Sequence, residues 1–431
     1  MNRSRPVSTP TLPRPAEDAL AHSAATVGFI AERIRAQGGW ISFAEYMQHA
    51  LYAPGLGYYS AGAAKFGMEG DFVTAPLLSP LFSRTCARRI EHWLGSIGGE
   101  ALLEFGPGTG RFALDALQVL GAPDSPLRRY QLLEVSADLR ERQQRLLQAA
   151  SASAPEVALE WRESLPEDFR GVVFANEILD ALPAERFVVR GGKWWRLGVG
   201  MANDGGLEWR VRPADGACGD DAIFLAEALH RREWLAAAGI ELPEGYCGEW
   251  QASLEPWFKS LAASLECAVV LLADYGLPRR QLLHPDREQG SLRCHYRHHA
   301  LADPFFHPGL LDITTWVDFT SVAEIAERAG FEIAGFTTQA AFLLGAGIDQ
   351  ELSAASAALD TAASRNRHPS GIPDPSRIDV QHVEMTQGVR RLLLPGEMGE
   401  AVKFMLLTRG VAADLFDDEP AFRLQDLRES L

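Results

Sequence analysis

Leu102-Leu103-Glu104-Phe105-Gly106-Pro107-Gly108-Thr109-Gly110-Arg111-Phe112 is the stretch that decides the fold, because its two halves carry different periodicities. The apolar run closing on Glu104 predicts a buried strand, and apolar residues at helical spacing from Arg111 to Leu120 predict a helix. The three glycines therefore fall in a strand-to-helix turn. Without a Cβ the backbone can bend sharply and approach a bound nucleoside, while the helix that follows presents unpaired N–H groups. A tight connection with no ligand is the alternative for such a turn taken alone.

The spacing sorts the candidate ligands. A dinucleotide fingerprint, G-x-G-x-x-G, has its third glycine where this chain has Arg111, so NAD fits poorly. An acid two places before the first glycine sits badly beside a pyrophosphate but suits the ammonium and sulfonium charges of S-adenosyl-L-methionine. E-x-G-x-G-x-G, here Glu104, Gly106, Gly108 and Gly110, resembles motif I of the class I S-adenosyl-L-methionine-dependent methyltransferases. Tyr130-Gln131-Leu132-Leu133-Glu134 then reads as a second strand with a carboxylate at its end, where doubly wound folds hold the ribose hydroxyls. Glu134 could instead cap the helix that starts near Ser136.

Composition narrows the class. The chain has 431 residues and 47% hydrophobic content, enough for a large core with substantial insertions. No run approaches a membrane span, and the Pro- and Ser-rich start lacks the apolar core of a secretory signal. A net charge of −16, with no Lys/Arg run longer than two residues, argues against a nucleic-acid partner and suits a basic protein substrate. The five cysteines, Cys86, Cys218, Cys247, Cys267 and Cys294, are never spaced C-x-x-C, which points to a reducing compartment and a cytoplasmic location.

Along the chain, residues 1–16 read as a disordered tail, 17–95 as a helical region and cofactor lid, and 96–200 as the first part of the core. Residues 201–265 read as an insertion forming a substrate-binding region, 266–410 as the second part of the core, and 411–431 as an acidic tail. In the first region Ser42-x-x-Glu45 is a capping box, and Gly70-Asp71-Phe72-Val73-Thr74-Ala75-Pro76 lies in a loop placed to close over the cofactor, or else to leave Asp71 solvated. The fourth strand runs into Asn176-Glu177-x-x-Asp180, polar residues at the strand end where open α/β sheets bind ligands, although helix capping also explains Asn176 or Asp180. Phe187 to Val199 reads as a hairpin, and a fifth strand ends in Asp274-Tyr275-Gly276. Cys294, His295, His298, His299 and His307 share one loop, but without a paired C-x-x-C they are read as ordering it, with no metal. Strands at 331–337 and 402–409 complete a doubly wound, seven-stranded, Rossmann-like α/β sheet closed by an antiparallel pair.

Taken together, the Gly70 to Pro76 and Asn176 to Pro183 segments, Asp274-Tyr275-Gly276, His284-Pro285-Asp286-Arg287, Asp312-Ile313-Thr314 and Val317-Asp318-Phe319-Thr320 resemble the signatures of the MidA family. The likeness spans about residues 25 to 410 and departs from the usual pattern at Leu77, Ser83 and Glu249-Trp250-Gln251-Ala252. That family includes a mitochondrial complex I assembly factor that methylates an arginine. The resemblance implies a methyltransferase acting on an arginine of a protein substrate, with a complex I subunit as the client class it suggests. Glu104, Gly106, Gly108, Gly110, Glu134, Thr74 and Asn176 would hold the cofactor. A guanidinium is always protonated in water, so carboxylates must hold it and take up the released proton; Asp71, Glu177 and Asp180 are the catalytic candidates. A non-catalytic, cofactor-binding assembly chaperone and a small-molecule methyltransferase are the alternatives. Carboxylates aimed at a methyl donor favour an enzyme.

Overall fold

The computed structural model describes residues 12–61, 74–214, 219–365 and 375–431. Seven strands form the main path of the central sheet: β1 (Ala101–Phe105), β2 (Arg129–Leu133), β3 (Ala158–Arg162), β4 (Phe169–Asn176), β5 (Leu265–Leu277), β6 (Glu332–Thr338) and β7 (Val402–Arg409), and an eighth, the two-residue Val317–Asp318, pairs in parallel with the end of β5. Their order is β6-β7-β5-β4-β1-β2-β3. The strands from β3 to β5 are parallel, and β7 runs antiparallel to both β5 and β6. The chain winds outward from β1 to β3, then returns to lay β4 on the other side of β1. That reversal opens a crevice at the carboxyl ends of β1 and β4.

Alternate residues of β1 enter different cores, which is why the strand reads as a continuous apolar run. Leu102 packs with Phe112, Leu117 and Trp93 from the helices Arg111–Leu120 and Pro80–Ile97. Leu103 packs on the opposite face with Phe258 and Val322, from the helices Leu254–Ser264 and Phe319–Arg328.

A second, five-stranded sheet lies outside this core. It joins Ile41–Ser42, Ala184–Arg190, Lys193–Met201, Leu207–Arg212 and Cys247–Gln251. The hairpin that the sequence places in the first part of the core thus belongs to an accessory module, and Cys247–Gln251 escaped the pattern because Gly248 interrupts it. The loop expected over 285–309 holds strands Arg293–Tyr296 and His299–Leu301, which form a small sheet with Asp312–Thr314. One hydrophobic cluster unites the parts: Ile34, Phe43 and Tyr46 from the N-terminal helices, Val199 from the accessory sheet, and Leu311 and Ile313 from the arm, the segment over 285–314 that carries the small sheet.

Buried charges lock the module to the core. Arg231, on the helix Gly219–Ala237, donates to Asp318 Oδ2 at 2.5 Å, and Arg279 Nε donates to the same oxygen at 3.0 Å. These guanidinium groups hold the buried Asp318 carboxyl down at about 2, against the effect of burial. Glu249 accepts from Arg186 Nε at 3.0 Å and from the Ser291 backbone N–H at 2.8 Å, tying the arm to the accessory sheet.

The acidic end of the chain is not a tail. Phe416, Ala421 and Phe422 are buried, and Glu419 Oε2 accepts from Trp93 Nε1 and Arg89 Nη2, both at 2.7 Å. The high Asp and Glu content had hidden a run of buried aromatic anchors. The expected disordered start lies mostly outside the described residues, as do Asp71 and most of the expected lid.

Candidate functional site

A cavity of about 800 Å³ opens at the carboxyl ends of β1, β2 and β4, where the chain reverses. Its floor is the glycine turn. Gly106, Gly108 and Gly110 have φ of 53°, 55° and 82°, in the left-handed region that disfavours side chains. A Cβ on Gly106 would fall 2.5 Å from Ile178 Cδ1, whereas one on Gly108 would meet open space. Gly108 therefore keeps the cavity floor clear. Gly110 does not line the cavity; it caps the helix Arg111–Leu120 and packs against Gln143.

Glu104, at the end of β1, is buried and accepts from the Tyr130 hydroxyl at 2.7 Å. Burial pushes its carboxyl up to about 8, partly opposed by the Tyr130 bond and aided by the charge of Glu134. Glu134 follows β2 and accepts from the Ser136 N–H at 2.8 Å and from Gln143 Nε2 at 3.1 Å. The same Gln143 nitrogen donates to Gly108 O at 2.8 Å, so one side chain fixes both the acid and the glycine turn. Asn176 donates to Glu177 Oε1 at 3.1 Å, and its own Oδ1 is buried with no hydrogen-bond partner among the described residues. Such an orphaned acceptor on a cavity wall suits a ligand donor. Thr74 also lines the cavity, at the start of the short helix Ala75–Leu78.

Carboxylates crowd the other end. Glu177 takes φ of 54°, unusual for a side chain of its size, and its N–H donates to Ala273 O at 2.8 Å. Its Oε1 also accepts from the Ala75 N–H at 3.4 Å. Burial, with the charge of Asp274, pushes the Glu177 carboxyl up to about 8. Asp274, at the exit of β5, accepts from the backbone N–H groups of Ile178, Leu179 and Tyr275 at 3.0, 2.7 and 2.9 Å. Burial still raises it to about 7. Asp180 lies well above the usual carboxylate range because of burial and its neighbours Asp274, Glu177 and Asp312. Of the pair, Asp274 has the backbone donors that stabilise an anion, so Asp180 retains the proton. These acids cannot all be ionised unless a cation enters.

The accessory module supplies residues that sequence reasoning did not assign. Tyr52, Tyr59 and Asp312 line the cavity, and the Tyr59 hydroxyl donates to Asp312 Oδ1 at 2.7 Å. Asp312 stood in a family-like motif, but nothing local shows that it reaches the strand ends of a different sheet. Trp257, packed on Phe105 at 5.4 Å between ring centroids, also lines the cavity. Cys294 is buried in the accessory cluster rather than facing the cavity, and among the described residues no three His, Cys, Asp or Glu side chains converge as metal ligands.

Comparison with known proteins agrees with this architecture. Residues 84–337 match the family described as S-adenosyl-L-methionine-dependent methyltransferase. The chain is 28% identical to the mitochondrial protein arginine methyltransferase NDUFAF7 homolog of Drosophila melanogaster, covering 96% of this chain and 92% of that one. Its identity to the Homo sapiens mitochondrial protein arginine methyltransferase NDUFAF7 is 26%, over 86% of this chain and 80% of that one. A Burkholderia thailandensis methyltransferase-like protein, crystallised with S-adenosyl-homocysteine, superposes with a TM-score of 0.84 at 37% identity, covering 98% of this chain and 100% of that chain. The cytoplasmic location read from the cysteines does not stand, because the curated relatives are named as mitochondrial proteins. Cysteine usage reports a reducing environment, which the cytoplasm and the mitochondrial matrix share.

Proposed function

We propose, for a chain that belongs to the MidA-like family of class I S-adenosyl-L-methionine-dependent methyltransferases and is itself such an enzyme, that the methyl acceptor is an arginine side chain of a protein. The observation that carries the reading is the group of acids at one end of the cavity: the half-buried Glu177 and the buried Asp180 and Asp312 on its wall, with buried Asp274 behind them. A permanently charged guanidinium is the acceptor that such an acid group suits. The names of the mitochondrial relatives support the same acceptor. The family resemblance adds a client class, a subunit of respiratory complex I.

The cofactor supplies an electrophilic methyl group on a sulfonium. Glu104, Glu134, Thr74, Asn176 and the turn from Gly106 to Gly110 would hold it, and the unpaired Asn176 Oδ1 and the clear space above Gly108 fit that role. Entry of the guanidinium drives the shared protons off the acids and leaves carboxylates that draw positive charge away from the attacking nitrogen. The nitrogen that takes the methyl group would give up a proton, and Glu177 and Asp180 on the cavity wall are the carboxylates that would take it up. Asp71 remains the third candidate from the sequence and lies outside the described residues. Positioning and water exclusion supply most of the rate.

The test is mass spectrometry of host proteins incubated with the purified enzyme and cofactor. A methylarginine that appears with the wild type and not with Glu177→Gln is the expected result. Transfer only to lysine or to small molecules would refute the arginine assignment.

A further inference from the structure

We propose that Asp312 is an acceptor-binding residue that contacts the guanidinium of the methylated arginine, and that Tyr59 is its positioning residue. The inference rests on the arginine reading and extends it to a part of the chain outside the methyltransferase sheet.

Three features carry it. Asp312 begins the strand Asp312–Thr314, which pairs with Arg293–His295 in the accessory arm, yet it lines the same cavity as Glu177 and Asp180. Its charge acts on both of those acids. A residue brought to the reaction cavity by the module, rather than by the cofactor-binding sheet, is placed to read the acceptor.

Tyr59 is held rigidly for the task. The turn after the helix Phe43–Tyr52 folds back on it, with Tyr58 N–H donating to Ala50 O and Tyr59 N–H to Leu51 O, both at 2.9 Å. Gly57 makes this possible, since a Cβ there would lie 2.5 Å from the Leu51 backbone. The Tyr59 hydroxyl then donates to Asp312 Oδ1 at 2.7 Å, which fixes the orientation of the carboxylate.

The third feature is aromatic. Tyr52 stacks on Tyr59 with ring centroids 5.4 Å apart and planes at 28°, and the Tyr52 hydroxyl donates to Ala181 O at 2.9 Å, one residue from Asp180. Half-buried tyrosine faces beside a carboxylate suit a flat, delocalised cation better than a compact, strongly hydrated ammonium. The pair therefore discriminates arginine from lysine.

The experiment measures binding by titration calorimetry, with the whole protein saturated with S-adenosyl-homocysteine. The probes are N-acetyl-arginine methylamide and its lysine and citrulline counterparts. The wild type should prefer the arginine probe. Asp312→Asn should weaken that probe by about tenfold or more, and Tyr59→Phe, which keeps the ring, by roughly three- to tenfold. Affinity for S-adenosyl-homocysteine should change by less than about twofold in either variant. Tyr59→Phe should also weaken the charged arginine probe more than the neutral citrulline probe, because a carboxylate no longer held in place loses its charge-assisted bonds to the guanidinium; a purely structural role would weaken both probes alike. Asp312→Asn binding the arginine probe as tightly as the wild type would overturn the inference alone. A wild type that prefers the lysine or citrulline probe would overturn the arginine reading and the inference together.

Discussion

Glu104→Gln separates the electrostatic role of motif I from its steric one. In the ligand-free fold the Glu104 carboxyl is raised to about 8, so it is mostly protonated at neutral pH. If it holds the ammonium of the cofactor as a carboxylate, binding must first remove that proton. For a single group titrating near 8, the apparent affinity falls about tenfold per pH unit below it, so between about pH 8.5 and 6 the loss is roughly two orders of magnitude. The amide cannot ionise and should remove close to one proton from the linkage. At about pH 8.5 it should also bind roughly 10- to 150-fold more weakly, for loss of a charge-assisted hydrogen bond of about 1.5–3 kcal/mol. The two affinity curves should therefore converge toward pH 6. Titration calorimetry of S-adenosyl-homocysteine in buffers of different ionisation enthalpy gives both the affinity and the protons released. Any slope left in the variant belongs to Glu177 and its neighbours. Equal affinity and equal proton release in both proteins would refute the role assigned to Glu104.

The same raised acids make a stability prediction for the ligand-free protein. Glu104, Glu177 and Asp274 titrate at about 8, 8 and 7 in the fold against 4.5, 4.5 and 3.8 ordinarily, so the folded state binds more protons. Their contribution is full below the ordinary values and is lost as pH rises through about 7 to 8, so the melting temperature should fall over that window. S-adenosyl-homocysteine should flatten the decline, and a melting temperature that rises from pH 5 to 8.5 would contradict it. Asp318 has the opposite sign: with its carboxyl held at about 2, its contribution is present above the ordinary value and lost only as pH falls toward 2. Asp318→Asn should cost about 3–5 kcal/mol in denaturant unfolding, because Arg231 and Arg279 would lose their buried partner; a loss under about 1 kcal/mol would show that the network is dispensable. Glu177→Gln and Asp180→Asn should lower turnover by about 100-fold while leaving cofactor affinity within a few fold, and unchanged turnover in both would misplace the chemistry.

What the sequence determined by itself was local or strictly ordered. A buried strand, three glycines and an amphipathic helix set the cofactor turn, because left-handed backbone and helix periodicity are properties of neighbouring residues. The acids at the ends of β1, β2, β4 and β5 were legible because strand exits in a doubly wound sheet face one crevice. The tertiary structure decided what depends on contacts between distant segments. The hairpin Ala184–Met201 has the same alternation in either sheet, and only pairing with Ile41–Ser42 and Cys247–Gln251 assigns it to the accessory module. Glu419 and Phe422 look like part of an acidic tail until Trp93, more than 300 residues earlier, is seen to bond Glu419. Asp312 became a wall of the cavity through Tyr59, some 250 residues away in sequence. The raised carboxyls likewise follow from burial and convergence, because an acid has its ordinary affinity for protons until the fold removes its water and brings other acids beside it.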